Sequence, residues 1–282
     1  AADCISEDAF EKSNALQPGE VLLLENVRFY TEETKGDYSF AEKLAKHGNC
    51  YVNDAFGAAH RAHASTTQLA SFFPNDKMAG LLMNAEIENA KKVLHEAERP
   101  FTAIVGGAKV SDKVLIVENL LQIANHIIIG GGMAYTFFKA MGGQIGASLC
   151  EEERVDTCKE ILARAKTMGV QIHLPVDAIV ADGFAADANT KIANSGEIEA
   201  NWMGLDIGTK TVELFTETIK NSKTLLWNGP MGVFEMANFE KGTKAIAEAV
   251  VAATKDGAFS LIGGGDSAAA IAKFGLEDEV SY

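Results

Sequence analysis

Residues 101–113 read FTAIVGGAKVSDK: a mostly apolar run, a pair of glycines, and a charged segment that leads into a helical pattern. Val114, Val117, Leu121 and Ala124 continue it at spacings of three and four, as expected for an amphipathic helix. Comparable apolar runs occur at 21–24, 126–129, 171–180, 224–227 and 258–262. Strands that alternate with helices predict an α/β fold with doubly wound, Rossmann-like parallel sheets.

The composition excludes several classes of protein. The chain has 282 residues, and 25 Lys+Arg against 39 Asp+Glu give a net charge of −14. With 47% hydrophobic residues it can bury a large core, which excludes a disordered chain. The negative net charge argues against binding to nucleic acids and against binding to an anionic membrane surface. The longest uncharged stretch, 120–138, contains polar residues and three glycines, so no membrane span is expected.

The cysteines indicate the compartment. Cys4, Cys50, Cys150 and Cys158 form no C-x-x-C pair and no metal-ligand spacing. Buried free thiols in a reducing cytoplasm are the expected state, so we predict a cytoplasmic protein.

Three apolar runs end in glycine clusters, at 106–107, 130–132 and 263–265. In an open α/β sheet, ligands bind beyond the carboxyl ends of the strands, where glycines let a phosphate approach the backbone. Each cluster alone could simply make a tight turn, but three together favour a phosphate-binding edge. Neither G-x-G-x-x-G nor G-x-x-x-x-G-K-[ST] is present, which disfavours a nicotinamide-dependent dehydrogenase and a P-loop NTPase.

Charged residues near these clusters leave two interpretations open. Lys109 and Lys113, four residues apart on a forming helix, could bind one anion or could simply be solvated. Asp266 could cap the next helix or hold Mg²⁺.

The first region contains two of the five arginines, Arg28 and Arg61. Arginine suits a bidentate contact with carboxylate or phosphate, although Arg28 could instead pair with Glu25 or Glu32. The spacing of His60 and His63 permits a metal pair, but no third ligand stands out, so zinc is disfavoured.

Seven motifs resemble phosphoglycerate kinase and occur in the order of that family. They are LENVRF (24–29), NDAFGAAHRAH (53–63), GGAKVSDK (106–113), GGGMA (130–134), WMGLDIG (202–208), WNGPMGVFE (227–235) and GGGDS (263–267). The resemblance implies reversible phosphoryl transfer between ATP and the carboxylate of 3-phosphoglycerate, a glycolytic reaction. It implies Mg²⁺ as cofactor, two small-molecule substrates, a monomer, and two domains facing across a hinged cleft.

The resemblance also implies roles for individual residues. Arg28, His60 and Arg61 bind the glycerate substrate. Lys109 and Lys113 neutralise the transferring phosphoryl group with the backbone of Gly264 and Gly265, and Asp266 binds the metal. Glu235 takes the ribose hydroxyls, and Ser267, where the family has Thr, contacts the nucleotide phosphates. The other expected nucleotide-site residues are Gly107, Ala108, Gly131, Gly204, Asn228, Gly229, Met231 and Phe234, and Lys113, Gly264, Gly265 and Asp266 belong to the same site.

The expected organisation is a partial N-terminal 3-phosphoglycerate-binding domain at 1–81, an interdomain helix at 82–100 and a nucleotide-binding domain at 101–282. The first residue is Ala, the residues 280–282 are interpreted as the beginning of a new strand, and the family extends further at both ends. We therefore expect a chain truncated at both ends that turns over weakly or not at all by itself. The alternative is a module that binds MgADP or MgATP without kinase activity.

Overall fold

The computed structural model describes all 282 residues and divides into two compact units, 1–89 and 90–282. The division falls within helix α4 (Leu81–Leu94), which ends before residue 100, the end predicted for the interdomain helix. No helix has both the length and the apolar character needed to cross a bilayer.

The first unit is mainly helical. Its helices are α1 (Glu7–Ala15), α2 (Thr31–Lys35), α3 (Tyr38–Ala45) and the π-helix Ala64–Gln68, and its parallel strands are β1 (Tyr51–Asn53) and β2 (Lys77–Ala79). A small core of Cys4, Phe40, Ala41, Leu44 and Ala64 holds these elements together. The predicted strand at 21–24 is wrong: these residues have no regular structure, and Val21 and Leu23 are exposed.

A five-stranded parallel sheet forms the centre of the second unit. Its strands are β3 (Phe101–Val105), β4 (His126–Ile129), β6 (Gln171–His173), β11 (Thr224–Asn228) and β12 (Phe259–Gly263), in the order β12-β11-β3-β4-β6. The predicted doubly wound parallel architecture is therefore confirmed. From β3 the chain adds β4 and β6 on one side and later β11 and β12 on the other, so the topological switch point lies between β3 and β11.

Helices cover both faces of this sheet. They are α5 (Val114–Leu120), α6 (Met133–Ala140), α7 (Val155–Met168), α8 (Thr209–Lys220), α9 (Lys241–Lys255) and α10 (Gly265–Lys273). Successive side chains of a strand point to opposite faces. Phe101, Ala103 and Val105 accordingly pack against α5 to α7, whereas Ile104 packs with Trp227 against α8 and α9. All five β3 residues are buried, as in a strand covered on both faces.

A second, antiparallel sheet lies outside the predicted pattern. It has the order β10-β7-β8, with β7 (Asp177–Ala181), β8 (Thr190–Asn194) and β10 (Met203–Ile207). A short parallel pair consists of β5 (Gln144–Ile145) and β9 (Glu197–Ile198), and β9 follows β8 in sequence. The run 171–180, predicted as one strand, is thus two strands in different sheets, because Pro175 interrupts it.

Candidate functional site

A cavity of about 470 Å³ lies in the second unit, where the loops after β3, β4 and β11 meet β10. It is thus built at the switch point of the sheet, the place where open α/β folds bind their ligands. The backbones of the loops are joined directly: Gly106 N–H donates to the Asn228 carbonyl at 3.0 Å, and Gly107 N–H donates to the Pro230 carbonyl at 3.1 Å. A side chain at Gly106 would collide with the Gly229 and Pro230 carbonyls, so the approach of these loops requires glycine.

The lining contains half of the predicted nucleotide-site residues. They are Gly107, Ala108, Gly131, Gly204, Met231, Glu235 and Asp266. The remaining predicted residues do not line the cavity. They are Lys113, Asn228, Gly229, Phe234, Gly264, Gly265 and Ser267.

The apolar part of the cavity contains residues that were not among the predicted site residues. They are Tyr135, Leu149, Phe184, Met203 and Leu205. Gly204 packs so closely on the Tyr135 hydroxyl that a Cβ at position 204 would overlap it. Burial, followed by the negative charge of Asp206, raises the pKa of the Tyr135 phenol, which therefore stays neutral at physiological pH.

Asp206 is a buried carboxyl group in the cavity wall and is only 3% exposed. Its Oδ1 accepts a hydrogen bond from Ile207 N–H at 2.9 Å, and its Oδ2 accepts one from Gly242 N–H, in the first turn of α9, at 2.7 Å. Burial raises the pKa of Asp206 to about 7, although these two hydrogen bonds act in the opposite direction and lower it. This residue therefore links the cavity wall to the start of α9.

The two predicted lysines lie in the loop between β3 and α5. Lys109 is exposed, and both residues precede the first helical residue, Val114, so the prediction that they share a helix is wrong. Lys113 is half-buried, and its Nζ donates to Oδ1 of Asn228. This hydrogen bond holds the ammonium group at the switch point, so Lys113 is not simply a solvated lysine.

The third glycine cluster ends β12 and begins α10. Gly264 adopts a φ of +86°, and the N–H groups at the start of α10 have no intrahelical acceptor. Asp266 is exposed and lines the cavity, and its carboxylate forms no hydrogen bond or ion pair with another residue. Ser267 is fully buried, and its Oγ accepts a hydrogen bond from Gly229 N–H at 2.6 Å.

The remaining two nucleotide-site candidates follow β11. Phe234 is buried, and its carbonyl accepts a hydrogen bond from Lys273 Nζ at 2.7 Å. Glu235 is exposed at the cavity.

The candidate glycerate ligands belong to the first unit. Arg28 is exposed on the 3₁₀ turn Val27–Phe29 and forms no ion pair, so the alternative pairing with Glu25 or Glu32 is absent. The exposed Arg61 donates from Nε to Nε2 of His60 at 3.2 Å.

His63, the other half of the possible metal pair, is buried with its Nδ1 3.7 Å from Oε1 of Glu33. No group of three or more His, Cys, Asp and Glu side chains is placed to hold a metal ion.

Comparison with known proteins identifies the family. The phosphoglycerate kinase family model matches residues 1–282. A curated phosphoglycerate kinase of Porphyromonas gingivalis (strain ATCC BAA-308 / W83) is 49% identical over 306 residues, which cover 100% of this chain and 73% of the relative.

Two solved structures have the same fold. The phosphoglycerate kinase of Coxiella burnetii superposes with a TM-score of 0.86 at 41% identity, over 95% of this chain and 68% of that one. The enzyme from Pyrococcus horikoshii OT3 gives a TM-score of 0.84 at 31% identity, over 99% of this chain and 71% of that one. The chain therefore belongs to the phosphoglycerate kinase family, whose enzymes reversibly transfer a phosphoryl group from ATP to the carboxylate of 3-phosphoglycerate.

Proposed function

We propose that the nucleotide substrate of phosphoryl transfer binds in the cavity of the second unit. The proposed division is glycerate binding by residues 1–81, a connecting helix at 82–100, and nucleotide binding by 101–282. The observation that carries the proposal is the convergence of the Gly106-Gly107 turn, Lys113 and Asn228 at the switch point next to a cavity with a largely apolar wall. A purine base can pack against an apolar wall, and phosphates can bind the backbone N–H groups of glycine turns and the ammonium groups of lysines.

The nucleotide base occupies the part of the cavity lined by Gly204, Met231 and the apolar residues around them. Glu235, exposed at the cavity, accepts hydrogen bonds from the ribose hydroxyls. Ser267 and Phe234 contribute to this site from buried positions, Ser267 by holding the turn at Gly229 through its 2.6 Å hydrogen bond. Gly107, Ala108 and Gly131 allow the phosphates to approach the backbone.

Lys109 and Lys113 stabilise the charge of the transferring phosphoryl group. Phosphoryl transfer passes through a loose transition state, so positioned positive charge and N–H donors supply most of the catalysis. The backbone N–H groups of Gly264 and Gly265, at the start of α10, act with the lysines. The glycerate carboxylate is already ionised at neutral pH, so no general base is required.

Mg²⁺ fits the donor set at this site. Asp266 has a free, exposed carboxylate at the cavity, and Mg²⁺ characteristically binds one or two carboxylates together with substrate phosphates. When bound, the ion neutralises negative charge on the phosphate oxygens. Asp266 would hold it at the phosphate end of the cavity.

Arg28, His60 and Arg61 bind the glycerate substrate. Arg28 has an unpaired guanidinium, and Arg61 is oriented by its bond to His60. A planar guanidinium suits a phosphate or a carboxylate, both of which 3-phosphoglycerate carries. The enzyme acts as a monomer in the cytoplasm, where its four free cysteines would stay reduced.

Calorimetric titration with MgADP and, separately, with 3-phosphoglycerate tests this proposal against a module that only binds nucleotide. We expect both ligands to bind, and Arg61→Ala to weaken only the second. Binding of MgADP with no response to 3-phosphoglycerate would support the nucleotide-binding module instead.

A further inference from the structure

An acidic residue from a distant segment holds the middle of the lysine loop. Glu151 Oε1 accepts a hydrogen bond from the Ser111 hydroxyl at 2.6 Å, and Glu151 Oε2 accepts one from Ser111 N–H at 3.0 Å. Both carboxylate oxygens therefore bind the same residue, 40 positions away in the chain. Ser111 lies midway between Lys109 and Lys113, two residues from each.

Glu151 is itself anchored to the core of the second unit. Its N–H donates to Oγ1 of Thr136 at 3.2 Å, and Thr136, in α6, is only 1% exposed. The chain then enters the 3₁₀ turn Glu152–Arg154 and α7. The carboxylate thus joins the segment between α6 and α7 to the exposed part of the lysine loop.

The charge of Glu151 strengthens this contact. Partial burial alone would raise its pKa, but hydrogen bonds from the Ser111 side chain, Ser111 N–H and Val110 N–H, with the positive charge of Lys109, hold the pKa below its usual value. The group is therefore ionised at neutral pH, and hydrogen bonds to a charged acceptor are roughly twice as strong as neutral ones.

We propose that Glu151 is a positioning residue for phosphoryl transfer, which fixes Ser111 and thereby places the ammonium groups of Lys109 and Lys113. This inference rests on the proposed role of the two lysines. Lys113 has a second anchor at Asn228, whereas the ammonium group of Lys109 forms no hydrogen bond and interacts with Glu151 through charge alone. A catalytic charge must be held to a fraction of an ångström, and a loop achieves this only when other residues support it.

The test compares Glu151→Ala and Glu151→Gln with Glu152→Ala in the complete protein. Glu152 is the matched control, because it is adjacent and exposed, and its carboxylate lies 3.8 Å from Lys139 rather than on the loop. We expect Glu151→Ala to lower kcat by about tenfold or more and to leave the Kd for MgADP within about twofold, since misplacement affects the transition state more than the bound nucleotide. Glu151→Gln keeps one acceptor oxygen and should lie between the two alanine variants.

A second measurement does not depend on activity. Hydrogen–deuterium exchange at residues 107–113 should rise in Glu151→Ala and stay unchanged in Glu152→Ala, while α7 keeps its protection in both. The proposal is overturned if Glu151→Ala matches Glu152→Ala in kcat or in exchange of the loop. If Glu151→Ala unfolds the protein, the same two readouts on Glu151→Gln decide. A further outcome separates the two proposals. If exchange at residues 107–113 rises in Glu151→Ala but Lys113→Ala retains full kcat, the proposed role of the lysines is contradicted, whereas the anchoring of the loop by Glu151 is supported.

Discussion

The ammonium group of Lys113 donates a hydrogen bond to the side-chain oxygen of Asn228, so the loop after β3 and the end of β11 share a charged contact. The backbones of the same two segments are joined between Gly106 N–H and the Asn228 carbonyl at 3.0 Å. These two hydrogen bonds therefore join the two segments at the switch point of the sheet. The ammonium group of Lys113 places a positive charge there, beside the cavity.

Substitutions of Asn228 test whether the reaction requires the ammonium group of Lys113 to be held in place and to keep its positive charge without a neighbouring carboxylate. Asn228→Ala removes the acceptor, whereas Asn228→Asp puts a carboxylate against Lys113 and repels phosphate. We expect kcat to fall in the order natural chain, Asn228→Ala, Asn228→Asp, as measured in a coupled assay. An Asn228→Asp variant as active as Asn228→Ala would show that local charge does not govern the reaction.

Gly204→Ala tests the location of the nucleotide site. The added methyl would overlap the Tyr135 hydroxyl and displace the cavity wall. We expect the Kd for MgADP to rise by about tenfold or more, which corresponds to about 1.4 kcal/mol of binding free energy. Gly183→Ala is the control, because nothing lies within 4 Å of a Cβ at that position. Equal Kd values for the two variants would place the nucleotide elsewhere.

The raised pKa of Asp206 predicts that the stability of the folded chain depends on pH. Its pKa is about 7 in the folded chain against 3.8 for the free side chain, so the folded state binds this proton more tightly than the unfolded state. Its contribution to the free energy of unfolding is complete below about pH 4 and is lost as pH rises to about 7. Asp206→Asn removes the titration.

Urea unfolding of both chains between pH 5 and 8 measures this effect. The free energy of unfolding of the natural chain should fall relative to Asp206→Asn as pH rises, by about 2–3 kcal/mol between pH 5 and 8. Parallel curves for the two chains would contradict the assignment.

Ser267→Ala tests the support of the β11 turn. The substitution leaves the buried Gly229 N–H without its acceptor, which costs about 1–3 kcal/mol. We expect a loss of that size in the free energy of unfolding, together with a higher KM for ATP. Ser267→Thr keeps the hydroxyl and should retain the turn. If Ser267→Ala unfolds at the same urea concentration as the natural chain, the hydroxyl has no structural role.

The strands of the central sheet could be predicted because burial on both faces leaves a continuous apolar run. The prediction for 101–105 and 126–129 coincides with β3 and β4. That for 224–227 is one residue shorter than β11 at its end, and that for 258–262 is shifted by one residue from β12. The second sheet was missed because β8 alternates exposed and half-buried residues, and its run TKIAN has little apolar character.

The site was predicted only in part, for a similar reason. Glycine turns and lysines carry recognisable motifs, whereas Tyr135, Leu149 and Phe184 reach the cavity from separate segments and have no local pattern. Glu151 is one of three consecutive glutamates, and only its distance to Ser111 distinguishes it from its neighbours. Long-range contacts of this kind depend on the fold.

The most direct test of the account is Lys113→Ala in the complete protein, with kcat and the Kd for MgADP measured together. Lys223→Ala is the control, since that exposed lysine directly precedes β11 and therefore lies at the amino ends of the strands, opposite the site. We predict that Lys113→Ala lowers kcat by about a hundredfold or more, because it removes charge stabilisation of the transition state, while the Kd changes by less than about threefold. An unchanged kcat, or a loss confined to nucleotide affinity, would contradict the proposed role of the lysine.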